Sequence, residues 1–200
     1  MPLEAQDFLE RVFKKLPSAS ITSYQFQHWS FGGKPTDEGF GLTPIPGVDP
    51  ERLIARVMDV DRYVGNVDHV SECRSVPDAR FSRPEKVRFY QKVTIPVIGS
   101  VQHELVLVDA GTLHGYRVAY WYQLQPETDA LNGKAAARSQ YNVGAWLAAP
   151  GVVGYALSSA PRRSDVNFLQ WQALTTGANV AAPKVVRENI EGMARWASRS

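Results

Sequence analysis

Apolar residues recur at helical spacing in three stretches of the chain. The first extends from Leu3 to Leu16 and ends before Pro17, which predicts an N-terminal helix. A second helix is predicted after Asp49, which can cap it, with Pro50 at its first position. The third is a C-terminal helix, which we expect to start at Pro183. One side of this last helix consists of Val186, Ile190, Met193 and Ala197.

Most of the remaining chain alternates between apolar and polar residues, as half-buried strands do. Seven runs follow this pattern and predict an antiparallel sheet with one covered face. They are residues 21–31, 69–76, 85–95, 101–109, 115–125, 152–159 and 167–176. Residues 32–47 contain five glycines and three prolines and are expected to form a long connection. Residues 126–150 are an insertion between strands, which is either a packed loop or a lid.

These elements predict an α+β architecture. A seven-stranded antiparallel sheet has an apolar face to bury, and the C-terminal helix is the only predicted element large enough to cover it. A curved sheet that grips one helix does not close completely, so we expect an apolar cavity between them. We therefore divide the chain into an N-terminal helix at 1–19 and a helix-grip domain at 20–200.

Two segments resemble the START-like (SRPBCC) superfamily of helix-grip proteins. The run from Asp49 to Tyr63 is similar to the proline-led opening helix of that superfamily, which ends in an acidic and aromatic turn. The run from Thr175 to Arg187 is similar to its passage from the last strand into the C-terminal helix. The similarity covers about residues 49–196 and implies a deep hydrophobic cavity. The superfamily includes lipid carriers, hormone and quinone binders, and polyketide cyclases or aromatases.

Side chains on the inward faces of the strands and of the C-terminal helix are the candidate ligand contacts. His103 is placed there because a buried imidazole needs a hydrogen-bond partner and can carry a proton near neutral pH. Gln91 is placed there because a buried amide without partners costs about 1–3 kcal/mol, so protein, water or ligand must satisfy it. The predicted contacts are Phe89, Gln91, His103, Tyr116, Tyr120, Tyr122, Trp171, Val186, Ile190 and Met193.

Besides Phe89, the aromatic members of this set come from two predicted strands. Tyr116, Tyr120 and Tyr122 are expected to form an inward row, with Arg117 and Gln123 on the opposite face. Trp171 joins them only if it points to the inward face of the last predicted strand, which the sequence leaves open. An aromatic row in a sheet forms either core or a binding surface, and both interpretations stay open.

Composition and charge narrow the function classes. The chain has 200 residues, is 44% hydrophobic and carries a formal net charge of +2, so we expect no nucleic-acid partner. Its four histidines and one cysteine are scattered, which predicts neither a metal site nor a cofactor. The lone Cys73 permits no intrachain disulfide and no signal peptide is recognised, so a cytoplasmic location is expected. Pro150 and Gly151 interrupt the uncharged run 139–161, so no integral membrane span is predicted.

Three functions remain open at this point. The favoured one is binding of a hydrophobic small molecule, lipid-like or aromatic, between the sheet and the C-terminal helix. The alternative is an enzyme of the polyketide cyclase, aromatase or dehydratase kind, for which His103, Tyr120 and Tyr122 are the candidate acids or bases. The third is a protein-interaction role, with a homodimer through the N-terminal helix and an apolar hairpin tip at 94–99 as a contact surface.

Overall fold

A computed structural model describes residues 1–95 and 99–199 of the chain. Its α-helices are α1 (Leu3–Lys15), α2 (Pro50–Met58), α3 (Gln125–Asp129), α4 (Phe168–Gln172) and α5 (Ala178–Ser198). Its strands are β1 (Gln25–Trp29), β2 (Glu38–Pro44), β3 (Val70–Ser75), β4 (Lys86–Ile95), β5 (Gly99–Leu113), β6 (Tyr116–Gln123), β7 (Ala137–Ala149) and β8 (Val152–Pro161). The hairpin tip predicted at 94–99 falls largely on residues 96–98, which lie outside the described residues.

The helix ends follow local signals in the sequence. The side chain of Asp49 caps α2 by accepting hydrogen bonds from the backbone N–H groups of Glu51 and Arg52, at 3.0 and 3.5 Å. The predicted start of the C-terminal helix is wrong, because α5 begins at Ala178 and contains Pro183. A π-helix at Ala173–Gly177 leads directly into α5, so the helical backbone is already formed before the proline.

The eight strands form one sheet in the order β1-β2-β8-β7-β6-β5-β4-β3, and all neighbours in this order are antiparallel. A short parallel pairing also joins β5 to β7, where Val101 lies opposite Ala137. Strands that are not neighbours meet there beyond the end of β6, so the sheet curls. The predicted antiparallel sheet with a C-terminal helix is confirmed, with eight strands instead of seven.

Three of the predicted segments are wrong. Residues 32–47 contain β2, and residues 126–150 contain β7, which lies between β6 and β8 and is therefore part of the sheet and not a lid or loop. Residues 167–176 form α4 and the π-helix in place of a strand. The reason is a capping box, in which the side chain of Asn167 accepts from the Gln170 N–H at 2.9 Å and the Gln170 side chain accepts from the Asn167 N–H at 3.0 Å.

Helices cover both faces of the sheet, and this produces two hydrophobic layers. On the inner face, α2 and α5 pack against the strands. On the outer face, α1 buries Ala5, Phe8, Leu9 and Val12 against strand residues that include Leu42 and Val106. The apolar side of α1 is thus covered within the chain. The homodimer through this helix and the domain boundary at residue 19 stay predictions.

Two glycines allow α5 to approach the rest of the fold closely. A Cβ at Gly192 of α5 would lie 2.9 Å from the Asp68 carboxylate, so the helix packs against the loop before β3. A Cβ at Gly41 of β2 would lie 2.5 Å from Cγ1 of Val186. Replacement of either glycine by a larger residue would therefore push α5 away from the sheet.

Candidate functional site

A cavity of about 200 Å³ lies between the inner face of the sheet and α5. Only part of α5 borders it. Ile190 and Met193 are fully buried in the hydrophobic core, and they are not among the residues of the cavity wall. The earlier turns of the helix form the wall instead, through Ala182, Val185 and Val186. The space thus results from a helix that packs closely at one end and spans a gap at the other.

The opposite wall combines aliphatic and aromatic side chains of the sheet. Leu105 and Leu107 of β5 belong to it, together with Trp121 of β6, Trp146 of β7 and Tyr155 of β8. The Tyr155 ring contacts both indoles, with centroid distances of 5.3 Å to Trp121 and 4.6 Å to Trp146. These three aromatic residues were not among the predicted contacts. They give the cavity a rigid aromatic surface.

A chain of hydrogen bonds crosses this wall. The Trp121 indole N–H donates to Oδ1 of Asn142 at 2.7 Å, and Nδ2 of Asn142 lies 3.1 Å from Nδ1 of His103. Nε2 of His103 lies 3.0 Å from Oε1 of Gln91, its direct partner across β4 and β5. Since an amide oxygen only accepts, Nε2 carries the proton, and Nδ1 accepts from Asn142. Both ring nitrogens are therefore satisfied when the imidazole is neutral.

Burial lowers the pKa of His103 from 6.5 to about 3. The side chain is 2% exposed and has no carboxylate among its hydrogen-bond partners, so nothing offsets the cost of removing a charged ring from water. His103 lies in the cavity wall as predicted from the sequence. Its neutral state near pH 7 makes it a fixed hydrogen-bonding group and a poor proton carrier.

The predicted inward row of tyrosines is wrong. Tyr116, Tyr120 and Tyr122 lie on the outer face of the sheet, in the cluster beneath α1, and the rings of Tyr120 and Tyr122 stack at 6.4 Å. The odd positions of β6, Ala119 and Trp121, face α5 instead. The alternation in this strand predicts the wrong face because α1 buries the outer face of the sheet, so both faces of β6 carry apolar residues.

The other predicted contacts divide into two groups. Phe89, Gln91 and Val186 line the cavity together with His103. Trp171 lies on α4, half-buried, with the Arg163 guanidinium 5.4 Å from its ring, and it is not part of the wall. Whether the lining residues contact a ligand stays a prediction.

Charged groups at the cavity are acidic. Asp37 and Asp68 belong to its wall, and among the described residues no lysine or arginine does. The Asp37 carboxylate is held by His28 at 2.6 Å and by the Ser30 hydroxyl at 2.9 Å. Asp68 is 45% exposed and lies 3.5 Å from Arg195. In residues 1–95 and 99–199, no group of three potential metal ligands comes together.

No family model matches the sequence, and no curated protein matches it significantly. Solved structures do match. The StAR-related lipid transfer protein of Xanthomonas axonopodis superimposes with a TM-score of 0.69 at 12% identity, over 91% of this chain and 97% of that one. Human StAR-related lipid transfer protein 5 superimposes with a TM-score of 0.66 at 7% identity, over 98% of this chain and 97% of that one. The fold is START-like. The resemblance stated from the sequence is thereby confirmed at the level of the fold.

The START-like fold is also found in a protein of different description. The di-domain ARO/CYC protein BexL, from the BE-7585A biosynthetic pathway, gives a TM-score of 0.55 at 10% identity. The match covers 88% of this chain and 51% of BexL. The START-like fold therefore identifies the architecture and not the ligand or the chemistry. In the described part of the chain, no helix is long and apolar enough to cross a membrane.

Proposed function

We propose that this START-like chain binds a compact, largely apolar small molecule between the sheet and α5. The observation that carries the proposal is the cavity of about 200 Å³ behind an apolar wall. Protein interiors are normally packed without spaces of this size. An apolar cavity of about 150 Å³ already admits benzene, so the space here accepts a somewhat larger ring system.

The aromatic wall favours a ring-containing ligand. Trp121, Trp146 and Tyr155 offer flat surfaces on which another ring can stack, whereas a flexible chain would lose conformational entropy on binding. The START-like neighbours include proteins described as lipid transfer proteins, which supports a hydrophobic ligand in general terms.

The three residues predicted as acids or bases for the enzyme alternative do not suit that role. Tyr120 and Tyr122 lie on the outer face of the sheet, and His103 is neutral with both nitrogens bonded. General acid or base catalysis at neutral pH needs a group whose pKa is near the working pH. We therefore propose ligand binding as the function of the cavity.

Bromobenzene provides a direct test, because bromine quenches indole fluorescence on contact and both Trp121 and Trp146 line the cavity. We expect saturable quenching in the wild type. Ala182→Phe, which places a ring into the cavity from α5, should weaken binding about tenfold or more.

The matched control is Ala181→Phe, which adds the same ring one residue earlier on α5, at a position outside the cavity wall. It should leave the titration unchanged. Quenching that rises linearly with probe concentration in the wild type, or that survives in Ala182→Phe, would show that the probe does not occupy the cavity.

A further inference from the structure

One polar side chain in the cavity wall has no structural partner. Asn189 of α5 is 8% exposed, and its Oδ1 is fully buried without a hydrogen-bond partner in the described structure. It belongs to the wall of the cavity, between Val186 and Gly192 on the buried side of the helix. A buried amide oxygen without a donor destabilises a fold. An apolar residue at this position would suit the helix better.

Three other polar side chains of the wall, those of Asn142, His103 and Thr36, already have hydrogen-bond partners within the protein. Asn142 and His103 bond to each other, and each has a second partner, in Trp121 and Gln91 respectively. The Thr36 hydroxyl lies 2.6 Å from the carbonyl oxygen of Ser159, to which it donates. Asn189 differs from these three residues, because among the described residues no donor reaches its buried Oδ1.

The charges around the cavity restrict the ligand further. Two carboxylates, on Asp37 and Asp68, border the space. Arg195 lies 3.5 Å from Asp68, but among the described residues no lysine or arginine belongs to the wall itself. A carboxylate or phosphate on a ligand would leave water without gaining a cationic partner and would face like charges. The wall consequently disfavours anionic ligands.

We infer that Asn189 is the specificity determinant of the cavity, and that it accepts a hydrogen bond from a hydroxyl or N–H group of a compact, uncharged ring compound. This inference rests on the proposed function, since it names the chemistry of the ligand for the same cavity. A phenol or a ring alcohol has the required donor, whereas a hydrocarbon lacks it and an aromatic acid has the wrong charge.

Three probes of nearly the same shape separate these features: naphthalene, 2-naphthol and 2-naphthoate. Their dissociation constants are to be measured by ligand-detected NMR at pH 7 for the wild type and for Asn189→Leu. We expect the preference for 2-naphthol over naphthalene to be about tenfold greater in the wild type than in the variant. We expect 2-naphthoate to bind the wild type at least about tenfold more weakly than 2-naphthol.

Thr43→Val is the matched control. Its Oγ1 is also buried without a partner, but Thr43 lies on β2 and is not part of the cavity wall. This variant should keep the preference of the wild type. Without ligand, Asn189→Leu should melt at a higher temperature than the wild type, because it removes an unsatisfied acceptor.

The outcomes distinguish the two proposals. An equal preference in wild type and Asn189→Leu, with naphthalene bound by both, would overturn the role of Asn189 and leave the binding function standing. Binding of 2-naphthoate as tightly as 2-naphthol would overturn the exclusion of anions. If none of the three probes binds, the proposed function itself fails.

Discussion

Replacing Arg11 by methionine is expected to lower the free energy of unfolding by about 3–5 kcal/mol, because it leaves a buried carboxylate without its main partner. Glu38 of β2 is fully buried, and Arg11 of α1 donates to both of its oxygens, at 2.8 and 2.9 Å. The Trp29 indole N–H and the Lys34 ammonium also donate to the Glu38 carboxylate, at 3.1 and 3.4 Å. This ion pair joins the N-terminal helix to the sheet.

The pKa of Glu38 shows how the charge is maintained. Burial alone would raise it, but hydrogen bonds and charge from Arg11, with Lys34, hold the pKa below its usual 4.5. A carboxyl with a lowered pKa stabilises the fold above its unfolded pKa, and this stabilisation is lost as the pH falls through the folded value. Without Arg11 the same buried carboxylate would keep only the Trp29 indole and Lys34 as partners.

Urea unfolding at pH 7 measures this effect. Arg187→Met is the control, because Arg187 forms an exposed pair with Glu191 at 2.7 Å on α5, and such pairs contribute little. The double variant with Glu38→Gln should recover part of the loss in the Arg11 variant. Equal stability of the Arg11→Met and Arg187→Met proteins would contradict a structural role for the buried pair.

The second large effect is a loss of stability in mild acid that depends on His103. Its pKa is about 3 in the folded chain and 6.5 when unfolded, so only the unfolded state takes up a proton between these values. Stability is therefore complete above pH 6.5 and falls as the pH drops below it. At 1.36 kcal/mol per unit, the loss is about 2 kcal/mol at pH 5 and about twice that near pH 3.

His103→Gln tests this assignment, because glutamine offers both a donor and an acceptor but does not titrate in this range. Unfolding free energies of both proteins are to be measured from pH 7.5 to pH 5. The difference between them should shrink by about 2 kcal/mol over that interval. Parallel pH profiles would mean that His103 is protonated in the folded state or exposed to water.

The cap of α2 and the buried side of α5 were predictable because their signals are local. Asp49 and Pro50 mark the start of α2, and the spacing of Val186, Ile190 and Met193 identified the buried side of α5. Strand β7 gave no such signal, because it lies in the middle of a sheet that is covered on both faces and seven consecutive residues from Asn142 to Ala148 are buried. Alternation disappears when both faces are apolar.

Strand β2 was missed for a different reason. Gly39 and Gly41 suggested a turn, yet they are required where neighbouring groups come close: a Cβ at Gly39 would lie 2.9 Å from the carbonyl oxygen of Gln27, and Gly41 faces Val186. A glycine in a strand can thus mark the approach of another element. Which of the two meanings applies depends on contacts distant in the sequence.

Two residues of the cavity wall were predictable because they belong to one pair of neighbouring strands. Gln91 and His103 are direct partners across β4 and β5, and both predicted inward faces were correct. The sequence does not place Trp121 and Asn189 in the wall. Their positions depend on which face of the sheet α1 covers and on where α5 is separated from the sheet by the cavity. An asparagine within the apolar side of a helix was the available signal for Asn189.

The central claim, that the space between the sheet and α5 holds a ligand, can be tested by locating a probe in it. Crystals soaked in bromobenzene should show an anomalous bromine peak between Trp121, Trp146 and α5, and Ala182→Phe crystals should show none there. Bromine found only on the protein surface, or a peak that persists in Ala182→Phe, would contradict the account.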